Sequence, residues 1–230
     1  MEKTSKFAML TRGWFSAVAL VLMCTAALAS CSENDDDSLN EYANWTARND
    51  SAFAAVLGQA RAAVVEARAL HGDNWQEFTP WRLFTNWQKP VGATFESSDT
   101  VVVYVENTGV GPGCPIYSDS VHVNYIGRLI PTTLHPKGYV FDHSGTSAEE
   151  DIIFDKGLCT PSLMQAGGSV AGFATAIQKM HVGDRWQLYI HPDLAYGEQT
   201  LTSIPAHSVL HFTVELKAYY RKGTIAGSWK

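Results

Sequence analysis

The chain has no G-x-S-x-G nucleophile elbow, no phosphate-binding glycine loop and no H-E-x-x-H metal pair anywhere in its 230 residues. Three common routes to acyl, phosphoryl and zinc-assisted chemistry therefore lack sequence support. The eight histidines are scattered. His207 and His211 are four apart but fall on or beside a strand, where solvated side chains are the plainer reading than a metal pair. No two carboxylates stand out as an acid–base pair, and Cys114 and Cys159 are far from the roughly two-to-four-residue spacing of paired zinc ligands. No metal and no cofactor is expected, and an enzyme built here would work without either a nucleophile or a metal. Positive charge is also scarce, with 17 Lys and Arg against 23 Asp and Glu for a net −6. Residues 1–30 carry Glu2, Lys3, Lys6 and Arg12, so the remainder stands at −8. Phosphate binding needs a basic surface, which argues against nucleic acid as a partner. There is no internal repeat, and no apolar run reaches the ~20 residues of a spanning helix.

The longest apolar run, Trp14 to Leu28, follows Lys3, Lys6 and Arg12 and ends in small residues. That order is an export signal. Leu28-Ala29-Ser30-Cys31 resembles the lipobox of bacterial lipoproteins. The resemblance implies that residues 1–30 are removed and that Cys31 carries a lipid. The alternative is an ordinary secretory leader cut near Ala29. Ser32 to Ser38 is polar and acidic, has nothing to bury, and is expected to be a disordered tether within residues 31–40. It resembles the acidic tract that sends some Bacteroidetes lipoproteins to the outer face of the outer membrane; a plain spacer is the alternative. The expected location is the cell envelope, anchored to the outer membrane by lipid alone, since no polybasic patch adds to it. With Cys24 in the leader and Cys31 lipidated, Cys114 and Cys159 remain in an oxidising compartment. They are either one disulfide or two separate thiols.

From Glu41 to about Leu70, Tyr42, Trp45, Phe53, Val56, Leu57, Ala60, Val64 and Ala67 recur mostly in steps of three and four, an amphipathic helix. Asn49-Asp50-Ser51 reads as a cap dividing it in two. Pro80 to Trp87 reads as a short helix or turn with proline at a start position. Residues 41–94 thus form a helical extension. After Phe95 the period changes to two. Thr100–Glu106, Val121–Tyr125, Trp186–Ile190 and Leu210–Leu216 each read as a strand. One helical segment, about Val170 to Met180, lies among them and ends at His181-Val182-Gly183-Asp184. Several antiparallel strands with one helix on a sheet face make an α+β domain over residues 95–222, with 223–230 as a tail.

Six short motifs run through that domain: V-H-V-N-Y-I-G from Val121, Val140-Phe141-Asp142-His143-Ser144, Val170-Ala171-Gly172-Phe173, I-Q-K-M-H-V-G-D from Ile177, L-Y-I-H-P-D-L-A-Y-G from Leu188, and I-P-A-H-S-V-L-H-F-T-V-E-L from Ile204. In this order, over about Thr100 to Tyr220, they resemble the FKBP family of peptidyl-prolyl cis-trans isomerases. The resemblance implies an antiparallel sheet wrapped around a short helix, with a proline pocket between them. It assigns Asp142, Tyr196, Phe141 and Phe212 to catalysis and Tyr125, Phe154, Val170, Phe173 and Ile204 to substrate binding. Phe173 would be the floor under the proline ring, where the best-known members have Trp. The Val170 N–H and the Tyr196 hydroxyl would take carbonyl oxygens of the ligand. The implied partners are proline-containing polypeptides and rapamycin-like macrolides, whose pipecolyl ring imitates proline.

Two departures matter. Asp151 to Gly157 resembles the family's F-x-F-x-x-G strand, with Ile152 and Phe154 as the alternating pair, but the link from Gly157 to Val170 is long and borders the pocket entrance. Leu129 to Lys137 makes a longer turn before the Phe141 strand. The leading expectation is an isomerase that assists folding of exported proteins. The rival is a module that keeps the fold and binds or assembles without turnover. The N-terminal helix is apolar enough either to pair two copies or to pack on its own domain.

Overall fold

A computed structural model describes residues 40–90 and 92–229. The export signal, Cys31 and the acidic tract lie outside the described residues. From Glu41 onward the chain forms one compact unit. Its elements are α1 (Trp45–His71), β1 (Trp81–Thr85), β2 (Thr100–Asn107), β3 (Ser120–Arg128), β4 (Val140–His143), α2 (Glu150–Ile153), β5 (Ser162–Gln165), α3 (Ala171–Ile177), β6 (Arg185–Ile190) and β7 (Leu210–Tyr220). The strands form one sheet in the order β1-β2-β6-β7-β3-β4, with β5 also on β3. Every pairing is antiparallel. The edge of β3 is shared: its first half takes β5 and its last residues take β4.

The period-two pattern explains which face is which. Trp186, Leu188 and Ile190 on β6 and Leu210, Phe212, Val214 and Leu216 on β7 join Val101, Val103, Val121 and Val123 in the main core, where α3 packs through Phe173, Ala176 and Ile177. The opposite face of β2 and β6 is covered by α1. Phe53, Leu57, Ala60 and Val64, spaced by four and three, pack on Trp81, Val102 and Val209. Because helices cover both sides of β2, Val101, Val102 and Val103 are all 0% exposed and the strand reads as a continuous apolar run.

Three expectations change. Pro80 to Trp87 is not a helix or turn: Trp81–Thr85 is an edge strand paired with β2 from Trp81↔Tyr104 to Thr85↔Thr100. Five residues carry little periodicity, and the open edge of β2 together with the Trp81–Tyr104 edge contact at 5.0 Å decides the conformation. The proline stands just before the strand, where it removes no ladder bond. Asn49 does not divide the helix. It is wholly buried, its Nδ2 donates to the Trp45 carbonyl one turn back at 2.8 Å, and its Oδ1 accepts from the Val209 N–H at 2.8 Å. A tertiary partner thus keeps inside the helix a residue whose local preference is to cap. Asp151 to Gly157 is not a strand either. Glu150–Ile153 is one turn of helix, which points Ile153 rather than Phe154 into the core.

Candidate active site

The site is built where α3 meets the concave face of the sheet. The contact requires glycine. A Cβ on Gly172 would stand 2.3 Å from Ile190 Cγ2, so only a bare backbone lets the helix this close. The close approach seats Phe173, 2% exposed, against Phe212 with ring centroids 5.1 Å apart. Phe212 in turn meets Phe141 edge-on at 5.3 Å and 88°, and Tyr125 meets Phe173 at 6.1 Å. Near-perpendicular rings at these distances are favourable pairs and set stiff walls. Gly127 permits the corner: it pairs with Phe212 on one side and Asp142 on the other, and a Cβ there would lie 2.6 Å from both phenylalanine rings.

Together these rings bound an open cavity of about 380 Å³. Tyr125, Phe141 and Asp142 come from β3 and β4, Val170 and Phe173 from the start of α3, and Tyr196 and Ile204 from the segment between β6 and β7. A polar pair, Tyr125 and Asp142, stands beside the aromatic rings. The Tyr125 hydroxyl donates to Asp142 Oδ2 at 3.1 Å. Burial, and after it the negative Asp142 carboxylate, pushes the Tyr125 phenol well above its ordinary value and keeps it a proton donor. The strand end that carries Asp142 is pinned back to β3, since the Ser144 N–H donates to the Tyr125 carbonyl at 2.9 Å and the Tyr125 N–H to Ser144 Oγ at 2.8 Å.

Of the nine predicted pocket residues, all but Phe154 line the cavity. Phe154 caps α2 and lies under the Arg185 guanidinium, 3.9 Å from its ring centre. The inserted turn of helix moved it, and β5 stands at the cavity instead, contributing Met164 and Gln165. These two, with Leu201 and Ser203, were not singled out from sequence. Leu201 and Ser203 sit within three residues of Ile204 and are reachable from it; the link from Gly157 to Val170 does border the pocket, as expected, but nothing in its sequence singles out Met164 and Gln165. Cys114 and Cys159 are two separate thiols. Cys114 Sγ lies 3.7 Å from His181 Nε2 in the turn after α3, whereas Cys159 is buried with its Sγ 3.7 Å from Asn124 Oδ1 on β3. Different elements claim each sulfur. Among the described residues no group of three or more His, Cys, Asp and Glu stands close enough to hold a metal ion.

Sheet, helix and aromatic cavity define a prolyl-isomerase type of domain, and the chain belongs to the FKBP-type peptidyl-prolyl cis-trans isomerase family. The family's sequence model, described as FKBP-type peptidyl-prolyl cis-trans isomerase, matches residues 114–217. FK506-binding protein 1 of Aspergillus oryzae is 30% identical over 111 residues, which cover 47% of this chain and 88% of that protein. The FKBP-type 22 kDa peptidyl-prolyl cis-trans isomerase of Escherichia coli is 37% identical over 113 residues, 49% of this chain and 46% of that protein. The FKBP-type isomerase FkpA of Escherichia coli is 34% identical over 122 residues, 53% of this chain and 38% of that protein. The chain thus spans about half or less of the length of these two bacterial relatives.

Proposed function

We propose that this protein is a peptidyl-prolyl cis-trans isomerase acting at the cavity between α3 and the sheet. The observation that carries this reading is the edge-packed cage of Phe141, Phe173 and Phe212 beside the Tyr125–Asp142 pair. Rotation about an X-Pro amide is opposed by resonance, a barrier of ~18–20 kcal/mol. Resonance places negative charge on the carbonyl oxygen, and water stabilises that charge. An apolar cage strips the water away and so favours the twisted, less polar amide over the planar one. Holding the proline ring on Phe173 while the preceding carbonyl rotates past Asp142 is differential binding of the transition state. No covalent intermediate is needed, which suits a chain without a nucleophile motif.

The substrates in this reading are proline-containing segments of exported proteins, with rapamycin-like macrolides as competing ligands. The location is the outer membrane, reached by the leader and held by a lipid on Cys31; Leu28-Ala29-Ser30-Cys31 and the acidic stretch Ser32–Ser38 support it. Residues 95–222 would be the isomerase domain, with α1 packed on that domain rather than pairing copies. Burial of Phe53, Leu57, Ala60 and Val64 against the chain's own sheet supports that choice. A protease-free assay on an X-Pro peptide tests the activity. Acceleration that a rapamycin-like macrolide abolishes is the expected result. Tight binding of the peptide without acceleration would instead identify a binding module.

A further inference from the structure

The pocket's upper rim, residues 197–209, is an irregular segment. Leu201, Ser203 and Ile204 face the cavity from it. Its own bonds are few: the Leu201 N–H donates to the Ile204 carbonyl at 2.8 Å and the His207 N–H to the Gly197 carbonyl at 2.7 Å. His207 is held at φ 58, in the left-handed region. A residue with a side chain adopts that conformation at a free-energy cost, and keeps it only where surrounding contacts over-determine it.

The two residues after His207 supply those contacts, and their partners lie some 160 positions earlier, on α1. Trp45 Nε1 donates to Ser208 Oγ at 2.9 Å, and Ser208 Oγ donates to the Pro205 carbonyl at 2.6 Å. The Val209 N–H donates to Asn49 Oδ1 at 2.8 Å. The Trp45–Ser208 and Asn49–Val209 bonds are buried. A relay therefore runs from Trp45 through Ser208 to Pro205, the neighbour of Ile204. The start of α1 and Glu41 just before it also reach the turn that leads into β4. Arg48 Nη2 donates to the Pro131 carbonyl at 3.1 Å and the Thr132 hydroxyl to Glu41 Oε1, on the turn that leads into Phe141 and Asp142.

We propose that the first two turns of α1 brace the pocket from outside the family-matched segment, with Trp45 and Asn49 as positioning residues that preset Ile204 and its neighbours for substrate. This rests on the cavity being the substrate site. The brace ends beside Ile204, a lining residue of the binding wall, and touches neither Asp142 nor Tyr125, so it is assigned to binding rather than to the twisting step.

The test uses the full chain with Trp45→Phe, Ser208→Ala, the double variant and Ser208→Thr. Trp45→Phe keeps an aromatic ring at the position and removes the N–H together with the indole's second ring, so urea unfolding of each single and double variant accompanies the assay to separate lost packing from the lost bond. Expected are faster amide exchange at Leu201 and His207, unchanged exchange at Leu188 and Val214 in the sheet, and a rise in KM of about two- to tenfold with kcat kept, the range for one lost neutral hydrogen bond. The double variant should be no worse than Ser208→Ala, since both remove the same relay, and Ser208→Thr should restore KM. Folded variants with wild-type exchange and KM, or additive effects in the double variant, would overturn the proposal. If the wild type proves to be no isomerase, the exchange measurement still decides the brace, and the Kd for the X-Pro peptide replaces KM.

Discussion

Gly127→Ala isolates the aromatic corner without removing any ring. The added methyl would sit 2.6 Å from Phe141 Cζ and 2.6 Å from Phe212 Cε1. Carbon atoms prefer roughly 3.5–4.0 Å, so the rings must retreat by about 1 Å. They have little room. Phe212 is 6% exposed and already in edge contact with Phe173 behind it. Overpacking of this kind costs ~1–3 kcal/mol. The backbone at Gly127 lies outside the positive-φ region, so no conformational penalty is added. Stability should therefore fall modestly while activity falls far more, by up to ~10²-fold, the scale for a misplacement of about 1 Å. Urea unfolding and a protease-free isomerisation assay measure the two effects. Gly58→Ala serves as the control: that glycine is on the exposed side of α1 with nothing within 4 Å of an added Cβ, and Ala should stabilise by ~0.5–1 kcal/mol with activity intact. Full activity in Gly127→Ala would refute the tight corner as the working surface.

Three further outcomes follow from particular residues. His211 stacks on Tyr189 at 4.5 Å, its Nε2 is buried without a partner, and burial, then the Arg128 charge, lowers its pKa from 6.5 to about 4. Between those values the unfolded chain holds the extra proton, so this group's stability is present above pH 6.5 and is lost as pH falls toward 4. His211→Phe, which keeps the stack, should gain up to ~3 kcal/mol on wild type across that window in urea titrations; a constant difference would contradict it. Cys114 should take iodoacetamide in the folded protein, while buried Cys159 reacts only on unfolding; mass spectrometry showing a Cys114–Cys159 bond would overturn the separate-thiol arrangement. Cys31→Ala should release the protein from the membrane fraction, and unchanged retention would remove the lipid anchor.

The legible and illegible parts of this chain divide by how local their causes are. Strands β3, β6 and β7 are visible because each carries a period-two pattern, as in Trp186-Gln187-Leu188-Tyr189-Ile190, and β2 because it is a β-branched apolar run, Val101-Val102-Val103, buried on both faces. The α1 stripe was visible for the same kind of reason. Strand β1 was not, because its five residues take their conformation from the free edge of β2. Asn49 read as a cap because its cause, the Val209 N–H, is 160 residues away. At the site, Tyr125, Phe141, Asp142, Val170, Phe173, Tyr196, Ile204 and Phe212 were legible from the ordered motifs and do surround one cavity. Phe154 was misplaced because a single turn of helix at Glu150–Ile153 changes which residue of Ile152-Ile153-Phe154 points inward. Gly127 is legible only as part of a motif; its role at the ring corner depends on Phe141 and Phe212, which lie 14 and 85 residues away in sequence.

The most direct test of the isomerase reading compares wild-type protein with Phe212→Ala in a protease-free assay on one X-Pro peptide, with folding of both checked by near-ultraviolet circular dichroism. Phe212 touches Phe141, Phe173 and Tyr125 at once, so its removal opens the cage to water. The truncation itself should cost ~3–5 kcal/mol of stability, so the assay is run at low temperature. Wild-type acceleration well above the uncatalysed exchange, which takes tens to hundreds of seconds, and loss of most of that acceleration in folded Phe212→Ala is the expected pair of results. Equal rates in the two folded proteins, or no acceleration by the wild type, would contradict catalysis by the aromatic cage.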